Sequence, residues 1–171
     1  NGSPSSITTG SLIEPGGLDI VPFGIDIDAM GAPRIRDIEK LQQYLRSGMP
    51  GPHAYVMLLG LSRFDFPGVL ELIAKGLPYS SFERLQRNSG FSTEQLTDLL
   101  QIPKRTLARR KASGRFSPEE SDRLVRAARV YAKTLGLFDG DAERATSWLS
   151  QAQRAFGGVT PLEMSRSEIG A

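Results

Sequence analysis

The 171 residues carry 21 Lys or Arg against 19 Asp or Glu, a formal net charge of +2, with 39% hydrophobic content, which suits one domain or two small ones around a modest core. No cysteine is present, so disulfides, thiolate metal sites and Cys nucleophiles are excluded, and a cytoplasmic location is the default expectation. The longest apolar run, Ala54 to Leu61, is far short of the roughly 20 residues a membrane helix needs, and no basic-then-apolar leader is seen, so no membrane partner is expected.

Residues 1–33 are rich in Gly and Pro, with short β-like pieces such as Ile25 to Ile27 and no helical period; they read as an extended or disordered arm. From Arg34 the pattern turns helical, because Ile35, Ile38, Leu41 and Leu45 recur at three- and four-residue steps before Gly48, Pro50 and Pro52. Val69, Leu70, Ile73 and Ala74, followed by Gly76 and Pro78, outline a short helix with a glycine stop.

Three later starts are written in capping chemistry. Ser92 with Gln95, Ser117 with Glu120, and Thr160 with Glu163 each set a hydroxyl at the N-cap and a Glu or Gln three residues on, where each satisfies an orphan backbone N–H. Pro118 and Pro161 occupy the first helical position, where a missing N–H costs nothing. The spacing predicts helices over about 80–89, 92–100, 103–112, 117–137, 141–150 and 160–165, hence an all-α fold. We expect a helical domain over 34–115 and a second, smaller helical unit over 116–171.

Helix 92–100 turns Leu96, Leu99 and Leu100 inward and is followed by Ile102-Pro103, a tight turn with an apolar plug, then a second short helix. That is a helix-turn-helix in outline over 92–112. Between Lys104 and Arg115 stand six Lys or Arg and no Asp or Glu, in the helix that would read DNA. By segments, residues 1–75 hold 6 basic and 8 acidic groups, 76–138 hold 12 and 6, and 139–171 hold 3 and 5. A basic centre between mildly acidic flanks points to nucleic acid at one face and another kind of contact elsewhere.

With Leu107 as the buried anchor and about 100° per residue, Arg105 and Arg109 point outward, one turn apart, as candidates for base edges. Lys104, Arg110 and Lys111 fall nearer the buried side, from which long stems reach flanking phosphates. Thr106 lies on the flank, and the Ser117 helix N-terminus, preceded by Arg115, is a further phosphate candidate. A bare outline of this kind is common in α domains, so a solvated basic helix remains the competing reading.

Little else carries chemistry. His53 lacks a paired carboxylate or hydroxyl, Asp26 and Asp28 lack further ligands at metal spacing, and no phosphate loop, paired-histidine motif or nucleophile elbow occurs. No catalytic set, metal or cofactor is expected. Ala142, Ala145, Trp148 and Leu149 share helical spacing and read as packing on the long helix. After them, "FGGVTPLEMSRSEIGA" offers a Gly-Gly break, a proline-started turn and a short polar tail, which suits a segment ordered by a partner.

Taken together, "LLGL" at 58–61, "KGLP" at 75–78, "RTLARRKASGRFSPEESDRLVRAARV" at 105–130, "WL" at 148, "FGGVTPLEM" and "SEIGA" resemble the Xre/ParS/MbcA class of antitoxins over roughly residues 56–171. The resemblance implies a non-enzymatic antitoxin partnered with a RES-domain toxin, a class that consumes NAD or transfers ADP-ribose from it. It implies an N-terminal helix-turn-helix domain that dimerises and binds operator DNA. It further implies a C-terminal toxin-binding domain whose end blocks the toxin's NAD pocket. Carried onto this chain, the operator-facing residues are Lys104, Arg105, Thr106, Arg109 and Arg110. The toxin-facing residues are Trp148, Gly157, Gly158, Pro161, Leu162, Ser167, Glu168, Gly170 and Ala171. Members of the class usually continue past the "EIGA" position, and Met164-Ser165 stands where they carry an apolar pair, a departure expected to loosen the last turn. The runner-up reading is a helix-turn-helix transcriptional regulator whose C-terminal helices only dimerise, without a toxin partner; a third, a small-molecule-binding or enzymatic α domain, is set apart by the lack of a catalytic constellation.

Overall fold

The computed structural model of the chain describes residues 54–63 and 65–167. The expected arm over 1–33, the helix from Arg34, and Asp26, Asp28 and His53 lie outside the described residues. Among those described there is no strand, only one isolated antiparallel bridge between Pro78 and Arg115. The elements run α1 (Ala54–Leu59), α2 (Phe66–Lys75), α3 (Tyr79–Ser89), α4 (Thr93–Leu99), α5 (Lys104–Ser113), α6 (Pro118–Leu137), α7 (Ala142–Ser150), a 3-10 turn (Arg154–Phe156) and α8 (Pro161–Met164).

The helix starts predicted within the described residues are found, and all but those of α3 and α5, which follow Pro78 and Pro103, are supported by a side-chain cap. Ser92, Ser117 and Thr160 all form reciprocal capping boxes with Gln95, Glu120 and Glu163, and the short α2 and α7 take theirs from Asp65 and Asp141. Each such cap is worth about 1 kcal/mol. One helix is new relative to the sequence reading: the apolar run Ala54–Leu61 contains α1, with Val56, Leu58 and Leu59 essentially inaccessible. A helix covered on all sides shows no apolar period, so nothing in its pattern announces it.

The 20-residue α6 is the central element. Leu124, Ala128, Tyr131 and Leu135 recur along one face and are all at most 2% exposed, and α6 packs on α1, α2, α3 and α7. Polar ties fix the ends of these elements. The Tyr131 hydroxyl donates to the Asn88 carbonyl at 3.1 Å while the Asn88 amide donates to the Leu58 carbonyl at 3.0 Å. Thr146 Oγ1 donates to the Ser89 carbonyl at 2.6 Å. The end of α3 is thereby tied to α1, α6 and α7 at once, with every buried polar atom named here satisfied.

Between α5 and α6 the chain folds back on the start of α3. Tyr79 N–H donates to the Gly114 carbonyl and Phe116 N–H to the Leu77 carbonyl, both at 2.9 Å, and Phe116 stacks into the rings of Tyr79 and Phe82 with centroids 5.7 and 6.1 Å away. Leu77 N–H donates to Ser121 Oγ at 2.7 Å. The C-terminal end of α5 is thus held by backbone and side chain together.

Candidate nucleic-acid interface and C-terminal lobe

Helices α4 and α5 meet at a turn through Gln101, whose φ is +52°. Ile102 plugs it at 3% exposure, its N–H donating to the Thr97 carbonyl at 2.9 Å. Leu107, the expected anchor, is buried, and Arg105 and Arg109 face solvent one turn apart. Among the described residues neither forms an ion pair. Thr106 is half-buried on the flank, and Lys111 is exposed.

The other cations of the run are engaged. Lys104 Nζ lies 2.6 Å from Glu94 Oε1, with both side chains about three-quarters exposed; its charge contributes little to stability there and is open to exchange for a phosphate. The Glu94 hydrogen bond and charge raise the Lys104 pKa. Arg110 does not reach toward solvent. Its Nη2 donates to Glu120 Oε1 at 3.1 Å, and its Nε stands 2.6 Å from Oε2 without hydrogen-bond alignment. Arg115 turns away from the expected phosphate position, its guanidinium donating to the Lys75 and Gly76 carbonyls at the end of α2. The α6 N-terminus proposed for a phosphate is already served from within: Glu120 Oε2 accepts from the Ser117 N–H at 2.8 Å and supplies the negative charge that a helix start favours.

Burial pushes the Glu120 carboxyl upward, but the Arg110 guanidinium and the Ser117 N–H outweigh it and hold the pKa below the ordinary Glu value. A carboxyl lowered in the folded state stabilises the fold fully above the unfolded-state pKa of about 4.3 and loses that contribution as pH falls through the folded value. We therefore expect the urea midpoint of the wild type to drop from about pH 5 downward more steeply than that of Glu120→Gln. Parallel acid limbs would refute this.

The C-terminal lobe begins where α6 ends. Asp141 caps α7, which buries Ala145 and Leu149 against α6 as expected. Trp148 is half-buried in a ladder of rings, 6.1 Å from Phe138 and 6.5 Å from Phe156, and the Arg144 guanidinium lies 5.2 Å over Phe138. Gly157 and Gly158 follow with φ of +69° and +86°, and a Cβ at either would meet nothing within 4 Å. These glycines answer to backbone conformation and not to crowding. Gln153 N–H bonds to the Val159 carbonyl and Gly158 N–H to the Gln153 carbonyl, both at 3.0 Å, closing the loop.

Pro161 and Leu162 are buried, so they shape the last turn from inside, while Ser167 is exposed. Met164 is exposed, yet Ser165 is buried with its hydroxyl donating to the Pro161 carbonyl at 2.8 Å. The serine thus puts a satisfied hydrogen bond at the end of the last turn, where the class carries an apolar side chain. Arg166 reaches Asp98 of α4 at 3.6 Å, and Gln101 Nε2 donates to the Arg166 carbonyl at 3.2 Å. Glu168, Gly170 and Ala171 lie outside the described residues. The surface features the sequence reading did not single out are exposed Leu137, Phe156 and Val159, together with Phe138 and Arg144. They come from separate elements, so no spacing rule joins them.

No described helix is long and apolar enough to cross a membrane, and the described residues contain no cluster of three or more His, Cys, Asp or Glu placed to hold a metal.

Comparison with known proteins agrees with this layout. Residues 68–129 match the family model of the antitoxin Xre-like helix-turn-helix domain, and residues 136–171 match that of the antitoxin Xre/MbcA/ParS C-terminal toxin-binding domain. The chain is 32% identical over 114 residues to an antitoxin Xre of Photorhabdus laumondii, covering 66% of this chain and 77% of that protein. It is 41% identical over 71 residues to an antitoxin Xre of Yersinia enterocolitica, covering 41% of this chain and 48% of that one. It is 39% identical over 70 residues to an antitoxin Xre of Pseudomonas putida, covering 40% and 43%. With a helix-turn-helix carrying outward arginines and a C-terminal lobe that matches a toxin-binding domain, the chain belongs to the Xre antitoxin family.

Proposed function

We propose that this antitoxin neutralises a RES-domain toxin by seating its C-terminal segment in the toxin's NAD site, and that as a homodimer it represses its own operon through α5. The observation that carries the first part is the construction of the lobe's end. A loop with two positive-φ glycines and exposed Phe156 and Val159 leads into a turn anchored by buried Leu162. Only then comes the polar segment containing Glu168, Gly170 and Ala171. Trp148, Gly157, Gly158 and Ser167 offer the surrounding surface, with Pro161 and Leu162 shaping the turn behind it. Glu168 or a neighbouring carboxylate would pair with the cation that otherwise holds an NAD phosphate. At the other face, Arg105 and Arg109 read bases, Thr106 and Lys104 take phosphates, and Lys104 gives up Glu94 to do so.

The test uses the product of the adjacent gene, co-expressed with the full chain and with a chain truncated after Ser167, which leaves the anchored turn in place. Both forms should co-purify with that product, and only the full chain should silence its NAD turnover. Equal inhibition by the truncated chain would refute occlusion by the tail. Failure of any complex to form would favour a DNA-binding regulator whose exposed Leu137, Phe156 and Val159 serve self-association.

A further inference from the structure

Of the six cations between Lys104 and Arg115, the one most deeply committed inside the fold is Arg110. Its side chain is 23% exposed and that of Glu120 8%. Glu120 has three tasks at once: it accepts from Arg110, accepts from the Ser117 N–H, and donates its own N–H to Ser117 Oγ. The pair therefore joins the last turn of α5 to the first turn of α6. Arg110 lies about 60° from the anchor Leu107 around the helix, whereas Arg109 lies some 160° away, so pulling Arg110 inward leaves Arg109 facing out. Just beyond, the Pro78–Arg115 bridge and the Tyr79-to-Gly114 hydrogen bond hold the helix end. With Leu107 as a pivot, a helix of ten residues is fixed in azimuth as well as in position.

We propose that Arg110 is a positioning residue for DNA recognition, tied to Glu120 so that α5 presents Arg105 and Arg109 at a set angle, and that it makes no phosphate contact. The inference rests on the reading of α5 as the DNA-binding helix. A charge-assisted Arg–carboxylate hydrogen bond, backed by a second close nitrogen–oxygen contact, is directional as well as attractive, which is what setting an angle requires. An arginine destined for a phosphate gains nothing from a buried carboxylate that competes for it.

The two roles predict opposite signs for one substitution. Glu120→Gln keeps an acceptor for the Ser117 N–H and the capping box, but removes the charge that holds Arg110. A phosphate-contacting Arg110 would be released by it and DNA affinity would rise. A positioning Arg110 would lose its hold and affinity would fall. The measurement is binding of full-length protein, by fluorescence anisotropy across a salt series, to a duplex from immediately upstream of its own gene.

We expect Glu120→Gln and Arg110→Met each to weaken binding about tenfold, within the range for contacting, coupled residues, and the double variant to be no weaker than either. The slope of log K against log salt should stay at the wild-type value in all three, whereas Lys104→Ala, at an assigned phosphate contact, should reduce its magnitude by about 0.9. Tighter binding by Glu120→Gln, a slope reduced by about 0.9 in Arg110→Met, or unchanged affinity in both would overturn the proposal. If Arg110→Met does not fold, Glu120→Gln with its intact cap decides by sign alone. A wild type that binds no duplex overturns the DNA-binding reading itself, and this proposal with it.

Discussion

Alanine at position 76 is expected to cost the fold about 3 kcal/mol or more, as the sum of left-handed backbone strain and a backbone collision. Gly76 ends α2 with φ +80° and its N–H on the Ile73 carbonyl. A Cβ there would sit 2.1 Å from the Phe116 carbonyl oxygen, a distance no rotamer can relieve because both atoms belong to backbone-anchored positions. Phe116 can retreat only at a cost, since its N–H is on the Leu77 carbonyl and its ring is stacked on Tyr79. Leu77 in turn is held by Ser121 of α6. The shift must therefore pass to the Gly114–Phe116 segment, and with it to the end of α5, so DNA binding should weaken along with stability. Urea denaturation is the check. A Gly76→Ala midpoint matching the wild type would mean that this crossing of chains is looser than its hydrogen bonds indicate.

Removing both outward arginines should have the largest effect on DNA. Arg105→Ala/Arg109→Ala is expected to reduce affinity about 30-fold or more near physiological salt, given about 1–3 kcal/mol for each good base contact. It should also lower the magnitude of the log K against log salt slope by up to about 1.8 if both arginines meet phosphates. Both side chains are exposed and neither has an ion-pair partner among the described residues, so the melting temperature should hardly move. A large loss of stability would show that the two support the fold, and an unchanged affinity would place the DNA surface elsewhere. A drop in affinity with an unchanged salt slope would mean that they read bases alone.

Much of this architecture was legible because helix starts are local. A hydroxyl, a carboxylate or amide three residues on and a proline at the first position name α6 and α8 without knowledge of what they pack on, and the same pair of side chains names α4. The inward leucines of α4 and the outward Arg105 and Arg109 follow from helical geometry once Leu107 is the anchor. What the sequence concealed is non-local. α1 lies inside a uniformly apolar run and has no period to betray it. The commitment of Arg110 depends on Glu120, ten residues away on another helix, and that glutamate's capping role gives no hint of a second partner. Arg115 is claimed by carbonyls some 40 residues earlier. The ring ladder of Phe138, Trp148 and Phe156 draws on three separate segments, so only their folding brings the rings together.

The continuity of α6 has a mechanical consequence. Near its first turn it carries Glu120, bonded to α5, the second helix of the helix-turn-helix; just past its last turn is Phe138, the first ring of the lobe that matches a toxin-binding domain. Roughly 27 Å of unbroken helix, 18 residues at 1.5 Å each, separates the two, with no linker between them. A helix-turn-helix and a lobe that matches a toxin-binding domain, built at opposite ends of one rod, keep a preset orientation. Anything docked at the lobe is thereby held at one fixed angle to α5, before any second partner is met.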